Sequence, residues 1–341
     1  MLEALGRRTA ELGVDLGTSN TRIVVRGTGL VVEEPTVVAI QNGPRGRTVL
    51  GVGTDAKRML GRTPAGTRVI RPVLGGVVDD FEATERLLRA LIKQTRIRSL
   101  LRPRMLICIP AGTTEVERRA VQESARAAGA REVFVVSTAV AAALGADLPI
   151  TDPVGSMIVD IGGGRTEVAI LSLGGVVVRR SLRLAGDAMD EAIAKWLRLE
   201  HTLLIGDRTR ESIKIRVGCA QVPNRPLRMR IRGRDAQSGG PREIDVSSDH
   251  VAEALIDVVE QIKGVVIDAL GATPPELASD IIDRGIIICG GGSELRGLGA
   301  TLRDAVQLPV LQADEPMHCV SRGASILLED QALFERVTAS V

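Results

Sequence analysis

The sequence predicts an α/β protein of two lobes, each built on a mixed or parallel sheet flanked by helices. Three observations carry that expectation. At 341 residues the chain is too long for one ordinary core. Strand-like and helix-like segments alternate through its first half, and the second half repeats the plan. One phrase also occurs twice. Val14-Asp15-Leu16-Gly17 matches Val159-Asp160-Ile161-Gly162 without a gap, and the match continues at Thr21 and Thr166, Ile23 and Val168, and Val25 and Ile170. Two hairpins with the same aspartate–apolar–glycine turn imply two lobes of similar topology facing one another. A chance likeness of two glycine-containing hairpins is the competing explanation.

In order along the chain, RIVVRG (22–27) and TVVAIQ (36–41) read as β-branched strands. Phe81 to Arg96 has helical spacing at Leu87, Leu88, Leu91 and Ile92, and MLICIP (105–110) is a short apolar strand. In the next helix Thr114 and Glu117 form a capping box and Gly129 closes it. EVFVV (132–136) is a strand and AVAAALGA (139–146) a helix. Residues 156–186 read as three strands with two glycine-marked turns, and 187–200 as an amphipathic helix with Met189, Ile193 and Trp196 or Leu197 on one face. Residues 225–246 alternate apolar and Arg around QSGG, a solvent-facing hairpin, and 249–270 is a long helix. Residues 280–306 read as strand, glycine turn and helix; the short QLPVLQ (307–312) and ASILLED (324–330) follow.

Composition narrows the function. The chain is 44% hydrophobic and 25% charged, and Lys+Arg 44 against Asp+Glu 42 leaves a net charge of +2, which gives no reason to expect nucleic acid as a partner. Aromatics stand at 1%, so stacking platforms for single strands are missing too. Cys108, Cys219, Cys289 and Cys319 lie far apart with no CxxC pair, as expected of buried inert thiols in a reduced, cytosolic protein. No apolar segment approaches the ~20 residues that span a bilayer, and MLEALGRRTAELG lacks the uninterrupted apolar centre of a secretory signal.

The repeated turns have a chemical use. Gly17 and Gly162, Gly163 and Gly164 can take φ > 0 and carry no side chain, so their N–H groups can close on an anion as a nest. Thr18, Ser19 and Asn20 add short donors. Asp15 and Asp160 at the turns can hold a hydrated Mg²⁺ that bridges to phosphate. Two hairpins would thus pinch one polyphosphate from opposite lobes. A third glycine site, Gly290, Gly291 and Gly292, leads from an apolar strand toward a helix capped by Ser293, where the backbone can approach a base or sugar and the helix N-terminus favours phosphate. A tight strand-to-helix turn without a ligand is its plainer explanation. There is no GxGxxG fingerprint and no P-loop.

These segments resemble the actin-like ATPase superfamily, and within it the MreB/Mbl rod shape-determining family of bacterial actin homologues. The likeness runs nearly end to end, through GVDLGTSNTRIVVRGTGLVVEEPTVVAI, IRPVLGGVVDDF, TEVERRAV, AGDAMDEAI and TPPELASDIIDRGIIICGGGSELRGL. It implies an actin-like fold with duplicated mixed sheets and four subdomains around a central nucleotide cleft. The large subdomains would be 1–32 with 74–145 and 318–341, and 146–180 with 246–317; the small ones would be 33–73 and 181–245. Transfer by motif makes Asp15, Gly17, Thr18, Ser19 and Asn20 the first phosphate loop, and Asp160 with Gly162, Gly163 and Gly164 the second. Glu211 and Lys214 match the family's ExxK pair around ribose and base, and Gly290, Gly291 and Gly292 the adenosine loop. A surface salt pair within one helix is the plainer account of Glu211 and Lys214. The implied ligands are ATP or ADP with Mg²⁺.

Two departures bear on turnover. The family's Glu-Glu-Pro phrase is replaced by Ser137, Thr138 and Ala139, and Thr138 cannot act as a carboxylate base. The second loop carries Arg165 where GGGT is usual. That guanidinium can anchor the γ-phosphate, occupy the water's place or swing to solvent. Slow or absent hydrolysis is the expectation. The resemblance also implies head-to-tail self-assembly into protofilaments, cell-wall synthesis and cell-shape proteins as partners, and a peripheral position on the inner face of the cytoplasmic membrane. Leu100 and Leu101, set among Arg96, Arg98, Arg102 and Arg104, match the family's inserting loop; an ordinary loop before a strand is the alternative. The N-terminal segment offers a second, thin apolar face. Competing functions are a non-polymerising nucleotide-binding regulatory paralogue and a small-molecule kinase. The kinase needs a carboxylate in the cleft, which neither Thr138 nor Arg165 supplies.

Overall fold

Each lobe opens with three consecutive antiparallel strands, and in each the first strand is then joined on its free edge by two later parallel strands. In a computed structural model that describes residues 9–43, 46–97 and 101–338, the first sheet runs Glu132–Ser137, Leu101–Ile109, Thr9–Leu16, Asn20–Val25, Gly29–Pro35. The second runs Val310–Gln312, Ile286–Cys289, Ser156–Ile161, Thr166–Ser172, Gly175–Leu182. The order is the same, so the sequence echo reflects a duplicated topology. The register repeats as well. Asp15 pairs across the hairpin with Arg22 and on its other side with Cys108; Asp160 pairs with Glu167 and Cys289.

Apolar residues on both faces of these strands bury Val14, Ile23, Ile107, Ile158 and Ile170 completely. Helices cover the outer faces: Phe81–Gln94 and Glu115–Ala128 on the first sheet, Gly186–His201 and Ser248–Gly271 on the second. The capping box is present, with the Glu117 N–H donating to Thr114 Oγ1 and the Thr114 N–H donating to Glu117. Gly129 ends that helix at φ 122°.

Between the sheets lies a layer of two helices, Thr138–Gly145 and Cys319–Glu329. Alanines and two glycines let them meet backbone to backbone. A Cβ on Gly145 would lie 2.7 Å from the Cys319 carbonyl carbon, and one on Gly323 would lie 2.5 Å from that of Ala141. Two small sheets cap the lobes. One holds Val38–Gly43, Gly46–Val52 and Thr67–Ile70; the other holds Leu203–Leu204 and the hairpin of Arg228–Asp235 with Pro241–Ser247.

Three local expectations are corrected. Residues 280–284, read as the start of a strand, end the helix Pro275–Arg284, and the strand is Ile286–Cys289. The helix after the third glycine run starts at Leu298, capped by Gly297; Gly291–Glu294 is a 3₁₀ turn, and Ser293 Oγ bonds back to the Gly290 carbonyl at 2.7 Å instead of capping a helix. The strand expected at 105–110 begins at Leu101, because Thr9 and Leu101 already pair. All four cysteines are buried and free. No helix among the described residues is long and apolar enough to cross a membrane.

Candidate functional site

The two hairpin turns converge on one cleft of about 550 Å³, a size that suits a small organic ligand. It is lined by Asp15, Gly17, Thr18, Ser19 and Asn20 from the first lobe, and by Asp160, Gly162, Gly163, Gly164 and Arg165 from the second. Gly290, Gly291, Gly292, Glu211, Lys214 and Thr138 complete the wall. Every cleft residue singled out in the sequence is therefore brought together. Of the proposed membrane residues, Leu100 lies outside the described residues, and Leu101 is 44% exposed at its strand's start.

Both turns close with the same bond. The Gly17 N–H donates to the Asn20 carbonyl at 3.1 Å, and the Gly162 N–H to the Arg165 carbonyl at 2.9 Å. The second turn is also tied to a helix start, because the Gly186 and Asp187 N–H groups donate to the Gly162 and Gly163 carbonyls at 3.1 and 2.7 Å. Of the cleft glycines singled out in the sequence, Gly290 alone takes the left-handed region, at φ 79°; Gly17 and the second-loop glycines do not. Close approach, not a left-handed backbone, is what requires the latter. A Cβ on Gly164 would lie 2.8 Å from Thr18 Oγ1 and 3.0 Å from the Gly75 nitrogen, and one on Gly163 would press on Ser19. The two loops touch across the lobe boundary.

Glu211 and Lys214 sit on the helix Asp207–Val217, but each pairs elsewhere. Lys214 Nζ reaches Asp190 Oδ2 and the Gly186 carbonyl, both at 2.9 Å; Glu211 takes Lys57 from the other lobe at 2.9 Å. A salt pair within one helix is thus not how they are used. Arg165 does not swing free into solvent. It is pinned, Nε donating to the Gly75 carbonyl at 2.8 Å and Nη1 to Ser181 Oγ at 2.7 Å, and so tethers the second loop to the first lobe.

Two buried charged residues lining the cleft escaped the sequence reading. Glu167 is 3% exposed, and its Oε1 accepts from the Ala111 N–H at 2.8 Å. Arg22, 6% exposed, lies 3.4 Å from Asp15 Oδ2 through Nη1 and grips Glu33 Oε1 through Nε and Nη2 at 2.9 and 2.7 Å. The signal was available: each is a charge directly before the apolar run of its strand, seven residues after the turn aspartate. Burial pushes the Asp160 carboxyl up to about 7, and the neighbouring carboxylates of Glu167 and Asp15 add to it. Burial raises Glu167 and Asp15 as well, with Arg22 opposing the rise at Asp15.

The expected water-mediated Mg²⁺ site on Asp15 and Asp160 does not fit these residues. Asp15 already faces a fixed guanidinium at ion-pair distance, so the two carboxylates are not both available to a divalent ion.

Comparison with known proteins gives one consistent family. A family model described as MreB/Mbl protein matches residues 9–336. The cell shape-determining protein MreB of Escherichia coli K12 is 47% identical over 328 residues, covering 95% of this chain and 94% of that one. The cell shape-determining protein Mbl of Bacillus subtilis 168 is 44% identical over 321 residues, 94% and 96% of the two chains. Among solved structures, MreB5 of Spiroplasma citri bound to AMPPNP superposes with a TM-score of 0.90 at 34% identity, covering 98% of this chain and 100% of that chain. Its ADP-bound form gives 0.88 at 36%, with 94% and 96% covered. A MamK double helical filament shares the fold, with a TM-score of 0.78 at 23% identity over 94% of this chain and 99% of that one. The actin-like fold expected from the resemblance is borne out, and over nearly its whole length the chain belongs to the MreB/Mbl family.

Proposed function

We propose that this chain is an ATP- and ADP-binding, filament-forming cytoskeletal protein that guides cell-wall synthesis and cell shape from the inner face of the cytoplasmic membrane. The observation that carries the nucleotide part is the meeting of two like glycine turns, one per lobe, over a single cleft. The MreB5 structures bound to AMPPNP and ADP support the same ligand class. In this reading Asp15, Gly17, Thr18, Ser19 and Asn20 face the phosphates from one side, and Asp160, Gly162, Gly163 and Gly164 from the other. Lys214, Glu211, Gly290, Gly291 and Gly292 surround ribose and base. The four-subdomain division, with small units at 33–73 and 181–245, belongs to the same reading.

Hydrolysis is slow. Thr138 opens the helix Thr138–Gly145 at the cleft wall and has no carboxylate, and losing a positioned base typically removes ~10²–10⁴ of rate. Arg165, held by Gly75 and Ser181, does not replace it. Membrane contact rests on Leu101 and the exposed Arg102 beside it, each basic residue near an anionic surface being worth about 1 kcal/mol. Arg104 is engaged with Glu11 and Glu132 at 3.1 and 3.0 Å. Electron microscopy on lipid monolayers with and without nucleotide tests ligand, polymer and membrane together. Nucleotide-dependent filaments on the lipid are expected. Bound nucleotide without polymer would leave the non-polymerising regulatory paralogue, and a phosphorylated small product the kinase.

A further inference from the structure

The two turn aspartates face opposite partners. In each hairpin the residue seven positions on is the direct cross-strand neighbour, so the two side chains share one face of the sheet. In the second lobe that neighbour of Asp160 is Glu167; in the first, the neighbour of Asp15 is Arg22. The row continues, since Arg22 pairs in turn with Glu33 on the third strand. Asp15, Arg22 and Glu33 thus lie side by side on three strands with charges alternating.

Register fixes this row, and burial holds it. Arg22 is 6% exposed and gripped by Glu33 from two nitrogens, so its guanidinium cannot swing away from Asp15 without leaving Glu33 unpaired. His318 Nε2, 3.3 Å from Glu33 Oε2, closes the far end. A guanidinium stays protonated at every physiological pH. Arg22 also lines the cleft itself. Asp15 therefore has a permanent covalent counter-ion at the place where a hydrated divalent ion would have to settle. A second, doubly charged cation there would be repelled by Arg22, which already offsets part of the charge on Asp15.

We infer that Arg22 takes the place of the divalent cation at this cleft, so that the chain's ligand is the free, metal-uncomplexed form of a nucleoside di- or triphosphate. Arg22 offsets the charge of Asp15, and the backbone N–H groups of the two turns meet the phosphate charge. This rests on the nucleotide reading above.

Calorimetry on the 341-residue chain separates the two. ATP and ADP are titrated in excess magnesium and again in EDTA. The expected Kd values differ by less than about threefold between the two buffers. Binding at least about tenfold tighter with magnesium would overturn the inference and leave the nucleotide reading standing. No heat in either buffer would end both. The Arg22→Met variant, checked for folding by circular dichroism, should convert the site: affinity in EDTA falls by about tenfold or more and magnesium restores it. A variant that folds and binds equally well in both buffers would also overturn the assignment of Arg22.

Discussion

At Asp190 burial and a cation pull in opposite directions. The side chain is 5% exposed, which disfavours its charge, while Lys214 at 2.9 Å favours it. Burial wins, and the carboxyl is pushed from 3.8 up to about 6. Between those values the folded chain binds more protons than the unfolded one, so this group's contribution to stability is fully present below the unfolded pKa and lost as pH rises toward about 6. Asp190→Asn removes the titration. Its stability relative to the wild type should improve by about 1–3 kcal/mol between about pH 4 and pH 7, read from urea midpoints; a difference flat in pH would refute the burial argument. A second residue-scale prediction concerns Gly164. A methyl there would sit 3.0 Å from the Gly75 nitrogen, a backbone atom that cannot turn aside. Gly164→Ala should weaken ADP binding by about tenfold with little change in melting temperature, because it parts the two loops without opening a core. Unchanged affinity by calorimetry would mean that the loops need not touch. The glycines were legible in the sequence, and of the two reasons given for them the missing side chain holds while the positive φ does not. Conformational freedom can be read from residue type, whereas closeness to Thr18, Ser19 and Gly75 depends on a partner loop some 90 to 145 positions distant. Arg22 and Glu167 were overlooked for a related reason: in a strand, charge reads as solvent exposure until both faces are known to be covered.

Elements were legible where local chemistry decides them. The helix Glu115–Ala128 is written in its own ends, a threonine box and a glycine stop, and it forms between those signals. The doubled hairpin was legible because it repeats. The third glycine run was not. Its strand and its later helix are local, but the 3₁₀ turn between them is set by close packing against Ile161, over which a Cβ on Gly292 would lie at 2.8 Å from the carbonyl oxygen. The middle helices show the same limit. An alanine-rich segment reads as a helix of little amphipathic character, and only the fold reveals that it is flanked by apolar groups on every side. Here the third prediction belongs. Because Gly145 meets the Cys319 carbonyl directly, Gly145→Ala must push Thr138–Gly145 away from Cys319–Glu329. Overpacking of this kind costs about 1–3 kcal/mol, so the chemical denaturation midpoint should fall without a change in slope. A variant as stable as the wild type would mean that the two helices can slide apart freely.

Over the whole molecule, the lobes meet through the central helices and again at the mouth of the cleft. At the mouth the ties are ionic: Lys57 with Glu211 at 2.9 Å and Arg71 with Asp187 at 2.6 Å, besides the Arg165 tether to Gly75. These side chains are roughly one-third exposed, and pairs of that kind contribute about 0–1 kcal/mol each. Closure therefore depends little on them, and a ligand gripped by both glycine turns would be the stronger link. The consequence is measurable. A ligand at one hundred times its Kd stabilises the folded chain by about 2.7 kcal/mol, which for a protein of this length raises the melting temperature by about 4 °C. Saturating ADP should produce that shift in the wild type. The double variant Lys57→Ala, Arg71→Ala should melt within about 3 °C of the wild type when free and keep most of the ADP shift. If the double variant instead lost the shift while its free form melted normally, the ionic mouth would be what couples ligand to closure, and the glycine turns would be only its floor.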